Sequence, residues 1–199
     1  MALRIFLLTA WVLTAVGVGV WHLGPGQDYK KLDNASVQIR AAEAAAAEAD
    51  YQTAVEKYDA ALAALPPDRI GDARRLRLER AKAQMLAKKL PEASGELKSL
   101  VDELSADPTA DPKLLAEARS AMANSQYYMT WLMRLEGMSQ DVWEPEIEAA
   151  RQNYKLLAEQ AEKRGDTVAI TKHKEDLEAA IRLARMDLGE LQGLPLPSQ

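Results

Sequence analysis

Residues 35–68, ASVQIRAAEAAAAEADYQTAVEKYDAALAALPPD, predict two short antiparallel helices joined by a tight turn. Ala42 lies in the first helix, and Ala54 follows twelve residues later in the second. Small residues that face each other let two helices approach closely. Tyr58 is expected to fill the space beyond them, and Pro66 to end the second helix, because proline cannot continue one.

This spacing resembles a tetratricopeptide repeat. Ala61 adds another small residue seven positions after Ala54, and the Asp50-Tyr51 pair stands where the turn belongs. The resemblance implies an α-solenoid of antiparallel helix pairs. The plainer alternative is an alanine-rich hairpin without family meaning, but helix propensity alone does not place Tyr and Pro at these offsets.

A second, weaker copy of the pattern extends over residues 74–107. The positions that repeat the first four spacings are Ala81, Ala93, Leu97 and Leu100. Leu100 replaces a small residue, and the closing proline is displaced to Pro108. The interval between the copies exceeds the family period of about 34 residues, which predicts an insertion between them and looser packing.

The C-terminal part, residues 112–192, keeps helical periodicity while the resemblance fades. Three helices are expected, over 113–136, 144–164 and 167–191. Pro145 fits the first turn of the second helix, Gly165 its left-handed cap, and Asp166 the N-cap of the third. Because about three repeats are usually needed for a stable solenoid, this part is expected to complete and cap the stack.

Composition limits the class of protein. The 199 residues lack the alternating apolar pattern of strands and contain no cysteine, so the chain is predicted to be all-α, without disulfides or thiolate metal sites. With 25 basic and 30 acidic residues, the net charge is −5, and no basic field suited to nucleic acid is present. Cysteine usage does not decide the compartment.

Residues 5–23, IFLLTAWVLTAVGVGVWHL, form an uncharged apolar run long enough to cross a bilayer as a helix. A transmembrane anchor over residues 1–26 is therefore expected, followed by a polar tether over 27–34 and the helical domain over 35–199. The alternative is a signal peptide, cleaved after an A-x-G site at Ala15 and Gly17. That site would fall inside the apolar run, which favours the uncleaved anchor.

The short basic tail before this run resembles a bacterial signal anchor. It predicts a single-pass protein of the inner membrane with its helical domain in the periplasm. Lys30, Lys31 and Arg40 follow the run closely and oppose that orientation, so a cytoplasmic-facing domain and a secreted one remain alternatives.

Groups suited to catalysis are few in this sequence. The only histidines are His22, expected at the membrane interface, and His173, in a polar stretch expected to be an exposed helical face. No phosphate-binding loop or nucleophile elbow is present, and the carboxylate pairs fit a solvated helix surface. No catalytic residue, metal site or cofactor is predicted.

Two groups of residues are candidates for contact with a partner. In the tetratricopeptide family the first helix of each repeat lines a concave surface, and the resemblance assigns that role to Ile39, Glu43, Ala46, Arg75, Leu78, Lys82 and Met85. The second group is an aromatic cluster formed by Tyr127, Tyr128 and Trp131. A central helix packed between layers is the plainer explanation of the cluster, and an anchor for a partner segment is the functional one.

The function expected from the resemblance is a membrane-anchored, non-catalytic adaptor that binds a protein partner on its concave surface. Arg75 and Lys82 lie on one side of the second repeat's first helix and would suit an acidic segment, although a solvated basic face is the plainer interpretation. The rivals are a structural subunit of a bacterial membrane complex, which uses its whole helical surface, and, least favoured, an enzyme. The sequence leaves the partner's identity and the oligomeric state open.

Overall fold

A computed structural model describes residues 11–14, 16 and 25–193, and every regular element in these ranges is helical. Residues 11–14 and 16 are helical fragments. Eight further helices follow, namely α1 (Pro25–Ala47), α2 (Tyr51–Ala64), α3 (Ile70–Leu86), α4 (Leu90–Ala106), α5 (Pro112–Leu135), α6 (Gln140–Arg164), α7 (Thr167–Arg185) and α8 (Leu188–Gln192). From α1 to α7, each helix packs mainly against its neighbours in the chain, which gives a solenoid-like order.

The α1–α2 hairpin is built on small residues. Ala42, Ala54 and Ala61 are fully buried and share one core cluster with Tyr58. At the turn, the Asp50 carboxylate accepts a hydrogen bond of 3.1 Å from the Thr53 backbone N–H and caps α2. Alanines at these positions let α1 and α2 pack closely, as their spacing predicts.

The α3–α4 hairpin repeats this arrangement with larger side chains. Ala81 and Ala93 are fully buried, and Leu97 and Leu100 occupy the places that Tyr58 and Ala61 take in the first hairpin. Lys88 adopts a left-handed backbone conformation with φ 63°, as Ala49 does in the first turn with φ 60°. The recurrence of this strained turn shape in two non-glycine residues marks the two hairpins as structurally equivalent.

The pair α5–α6 is longer than the pairs before it. Its helices have 24 and 25 residues, whereas α3 and α4 have 17 each. Gly137, with φ 72°, forms the turn. Helix α6 begins at Gln140, earlier than predicted, so Pro145 lies inside the helix rather than in its first turn. As the sixth residue of α6, Pro145 lacks the backbone N–H that would otherwise bond to the carbonyl oxygen of Asp141.

The C-terminal helices are fastened to α5. Gly165 caps α6 in the left-handed conformation, and Asp166 caps α7, both as predicted. Helix α7 ends at Arg185, and Asp187 then forms a capping box with Glu190 that starts the short α8. The Arg134 guanidinium donates hydrogen bonds to the carbonyl oxygens of Leu183 and Met186 and lies 4.7 Å from the Trp143 ring centroid.

Two expectations for the N-terminal region are corrected. Within residues 11–14, 16 and 25–193, no helix combines the length and the hydrophobicity needed to span a membrane, so the expected transmembrane helix is not among the described elements. Residues 1–10, 15 and 17–24 of the expected anchor lie outside the described residues. Residues 27–34, expected to be a tether, belong to α1. Pro25 is compatible with this because proline fits the first turn of a helix.

Candidate partner-binding groove

A groove of about 580 Å³ lies between the alternate helices α3, α5 and α7, and Tyr154 of α6 contributes to its floor. We call it the tyrosine groove. Its lining residues are Lys82, Met85, Leu86, Glu117, Ser120, Ala121, Asn124, Tyr127, Tyr128, Tyr154, Lys172, Asp176 and Ala179. The first helices of the second and third hairpins, α3 and α5, thus face the same space as α7, whereas none of the lining residues comes from α1.

The aromatic side chains in this region form a continuous contact. The rings of Tyr127 and Tyr128 meet edge to face, with centroids 5.8 Å apart, and Tyr127 lies 6.1 Å from Trp131. Both tyrosines are half-buried, while Trp131 is only 5% exposed and packs into the core between α5 and α6. The predicted cluster thus has two parts, since the tyrosines face the groove and the tryptophan supports them from the core.

Charges of both signs line the tyrosine groove. Lys82 on α3 lies 2.8 Å from Glu79 in an ion pair. Lys172 on α7 has no ion-pair partner among the described residues. Glu117 and Asp176 supply two acidic groups. The lining is therefore electrically mixed and does not form a uniformly basic surface.

Tyr154 holds the floor of the groove in place. Its hydroxyl donates a hydrogen bond of 2.7 Å to Asn124 Oδ1 and so links α6 to α5. Burial, with a smaller contribution from the nearby Asp176 charge, raises the pKa of Tyr154 strongly. The hydroxyl consequently stays protonated and serves as a fixed donor rather than as a base.

His173 is buried, although the sequence predicted that it would be exposed. The residue is 8% exposed, and its Nδ1 lies 3.5 Å from Asp176 Oδ2. Burial lowers the pKa of His173 against the opposing influence of the Asp176 charge, and burial raises the pKa of Asp176. Both shifts favour the neutral forms. Within the described ranges, no cluster of three or more His, Cys, Asp or Glu residues could hold a metal ion.

The structure brings together only part of the predicted binding set. Lys82, Met85, Tyr127 and Tyr128 all line the tyrosine groove. The other candidates lie elsewhere: Ile39 and Ala46 pack partly against the α1–α2 core, Glu43 is exposed on α1, Arg75 is 3.6 Å from Asp111, and Leu78 is fully buried. Leu78 is corrected because it packs toward α4 and α5 and cannot present its side chain to a partner.

Several groove residues were not identified from the sequence. On α5 they form a stripe at intervals of three, four and seven residues, which includes Glu117, Ser120 and Asn124 together with the two tyrosines. This periodicity is visible in the sequence and marks one face of a helix. Lys172 and Asp176 on α7 could not be joined to that stripe without knowing how α7 packs.

The basic run of α3 is mostly engaged with acidic residues on neighbouring helices. Arg74 donates to Glu103 and Asp107, each at 2.7 Å, and Arg77 donates to Glu96 and Glu103, each at 2.5 Å. Arg80 adds bonds to Asp59 on α2 and to Glu96 on α4. Arg74 and Arg77 join the two helices of the second hairpin, and Arg80 also joins that hairpin to the first. These three arginines are therefore not free to bind a partner's acidic segment.

Comparisons with known proteins give no relative for this chain. No protein-family model, no curated protein and no solved structure matches it.

Proposed function

We propose that this chain is a non-catalytic adaptor of the tetratricopeptide type, which holds an extended segment of a partner protein in the tyrosine groove. The observation that carries the proposal is the meeting of α3, α5 and α7 around one open groove lined by Tyr127 and Tyr128. Tyrosine and methionine are favoured at protein interfaces because they supply a large contact area together with polar or adaptable groups.

The polar lining fits an extended segment. A peptide without regular structure brings unpaired backbone N–H and C=O groups, which need partners when they leave water. The groove offers the side chains of Ser120, Asn124 and Lys172 for this purpose. Its balanced charges favour a segment with both acidic and basic residues, and the acidic part of the partner would face Lys172 and Lys82.

Site-specific cross-linking tests this proposal. Partners are first recovered by affinity purification with the full chain and identified by mass spectrometry. A photo-reactive phenylalanine analogue at Tyr127 should then cross-link to the same partner, whereas the analogue at the exposed Val168 should not. Cross-linking of that partner from Val168 alone would place the binding surface outside the groove.

A charge reversal gives an independent measure. Lys172→Glu should reduce recovery of the partner several-fold, and the loss should shrink as salt screens the interaction. Lys98→Glu is the matched control, because it makes the same change on an exposed position of α4 that does not line the groove. Equal recovery with both variants at every salt concentration would contradict the proposal.

A second candidate function is that of a structural subunit of a larger complex. It is favoured by exposed apolar side chains near the end of α5, namely Leu132 and Met138, which lie outside the tyrosine groove. Under this function a partner is held by a broad surface, so groove variants would leave its recovery unchanged while Leu132→Asp would reduce it.

A further inference from the structure

A second cavity lies beside the tyrosine groove and has a different chemistry. It measures about 740 Å³, and four of its lining residues are methionines. We call it the methionine groove, lined by Met85, Leu86, Lys88, Leu90, Pro91, Tyr128, Met129, Trp131, Leu132, Met133, Glu136 and Met138. Apart from Lys88, Glu136 and the Tyr128 hydroxyl, the side chains that line it are apolar or, as with Trp131, largely so.

The methionine groove arises from a difference in helix length. Helix α5 is seven residues longer than α3 and α4, because it has 24 residues and they have 17 each. At 1.5 Å per residue this amounts to about two helical turns. The lining comes from the end of α3, the start of α4 and the second half of α5, so the cavity lies where α5 continues past the α3–α4 turn.

Two apolar side chains at this place remain in contact with water. Leu132 is 42% exposed and Met138 is 43% exposed. A contiguous apolar surface of this kind is typical of a binding site, whereas single exposed apolar residues are not. Methionine adds adaptability, because its unbranched, polarizable side chain can adjust to the shape of a partner.

The lining decides which kind of segment can enter. The groove is formed almost entirely by side chains of helices, whose backbone groups are already paired. An extended peptide would leave its own backbone N–H and C=O groups unpaired against apolar side chains, which is unfavourable because these groups lose their hydrogen bonds to water. A helix avoids this cost because it satisfies its backbone internally.

Two charged residues at the rim of the methionine groove indicate which charges a bound segment should carry. Lys88 follows α3 and Glu136 follows α5, and neither has an ion-pair partner among the described residues. An occupant that carries an acidic residue toward Lys88 and a basic residue toward Glu136 would pair both.

We infer that the methionine groove is a docking site for an amphipathic helix of a partner protein. The helix presents apolar side chains at intervals of three, four and seven residues to Met129, Leu132 and Met133, and its flanking charges complement Lys88 and Glu136. The methionine groove shares Met85, Leu86 and Tyr128 with the tyrosine groove, but the residues that carry this inference, Leu132 and Met138 above all, line the methionine groove and not the other. The inference therefore does not depend on the adaptor function proposed above.

A designed peptide tests the inference. The probe is a fluorescein-labelled amphipathic peptide of about 14 residues, or four turns, with leucines along one face, a glutamate near one end and a lysine near the other. Binding to the full chain is followed by fluorescence anisotropy, and helix formation in the peptide by circular dichroism. We expect saturable binding accompanied by a gain of helix. A peptide of the same composition with the leucines dispersed should bind about tenfold more weakly.

Variants of the chain locate the bound peptide. Leu132→Asp and Met138→Asp should each weaken binding about tenfold, because each places a charge against the apolar face. Both positions are well exposed, so folding is retained and is checked by thermal melting. Ile70→Asp, at an exposed position at the start of α3, is the matched control and should bind as the wild type does.

Three outcomes overturn the inference. The first is absence of saturable binding to the wild type, and the second is equal binding of the ordered and dispersed peptides or of all variants. The third is saturable binding of dodecanoate without binding of the peptide, which would identify a pocket for small amphiphiles. Lys172→Glu should leave peptide binding unchanged, so the outcome at this site is distinguishable from that at the tyrosine groove.

Discussion

The first hairpin and the third differ in the size of the largest side chains in their cores. The α1–α2 pair buries alanines around the single ring of Tyr58, whereas the core around α5 and α6 contains Trp131, Ile147 and Tyr154. Small residues let the backbones of two helices approach closely. In this protein both the tyrosine groove and the methionine groove border α5, which belongs to the third hairpin. We therefore expect the α1–α2 hairpin to act mainly as a scaffold, and the region around α5 to provide the binding surfaces.

Among the substitutions that test this comparison, we expect the largest change in stability at Trp131. Trp131→Ala should lower the free energy of unfolding by about 3–5 kcal/mol, because a buried aromatic side chain leaves a cavity that the surrounding helices fill only partly. Urea denaturation measures the change. Trp143→Ala is the matched control, since that tryptophan is half-buried and should cost less. Equal costs would show that Trp131 does not support the core of the third hairpin.

Overpacking tests the alanine core of the first hairpin. Ala54→Leu should cost about 1–3 kcal/mol, because the fully buried position has no room for three more carbon atoms. Ala60→Leu makes the same change at an exposed position of the same helix and should be nearly neutral. Thermal unfolding of the two variants compares them directly, and a cost at position 60 as large as that at position 54 would refute the proposed register of α2.

The smallest change in stability is expected in the second hairpin, α3–α4, where ion pairs join the two helices. Arg74→Met should destabilise the chain by roughly 1–2 kcal/mol, because it removes hydrogen bonds to two carboxylates. Arg75→Met is the control in the adjacent position. The Arg74 side chain is 13% exposed and that of Arg75 is 61% exposed, so the control should cost little.

The pH dependence of this difference follows from the carboxylates. Hydrogen bonds from Arg74 and Arg77 lower the pKa of Glu103, and those from Thr109 and Arg74 lower the pKa of Asp107 to about 2. Their stabilising contribution is present above the unfolded pKa values of about 4 and is lost as the pH falls through the folded values. The gap between wild type and Arg74→Met should therefore narrow from pH 4 to pH 2, and a constant gap would contradict this cause.

The sequence predicted the first hairpin well because its information is local. Ala42, Ala54 and Tyr58 lie within one hairpin, and the helical period alone places them on facing sides. The caps at Asp166 and Gly165 were predictable for the same reason, since each depends on a few neighbouring residues. The family resemblance itself remains a prediction.

Features that depend on packing between distant segments could not be predicted. The α3 arginines looked like a solvated face because their acidic partners lie on α2 and α4. His173 looked exposed because its neighbours in sequence are polar, while its burial comes from the way α7 packs. Leu78 fell on the expected binding face, because a spacing of seven residues places side chains on one side of a helix without showing whether that side meets solvent or another helix.

The bonds from Arg134 to Leu183 and Met186 have a consequence for partial unfolding. In a linear array of helices each unit is held by its neighbours, so a terminal unit can open at a lower free energy than the whole. The α7–α8 end is fastened back onto α5, whereas the α1–α2 end is attached mainly through α3. Local opening is therefore expected to begin at the first hairpin. A segment held between α5 and α7 would be bound to the part of the chain that opens last.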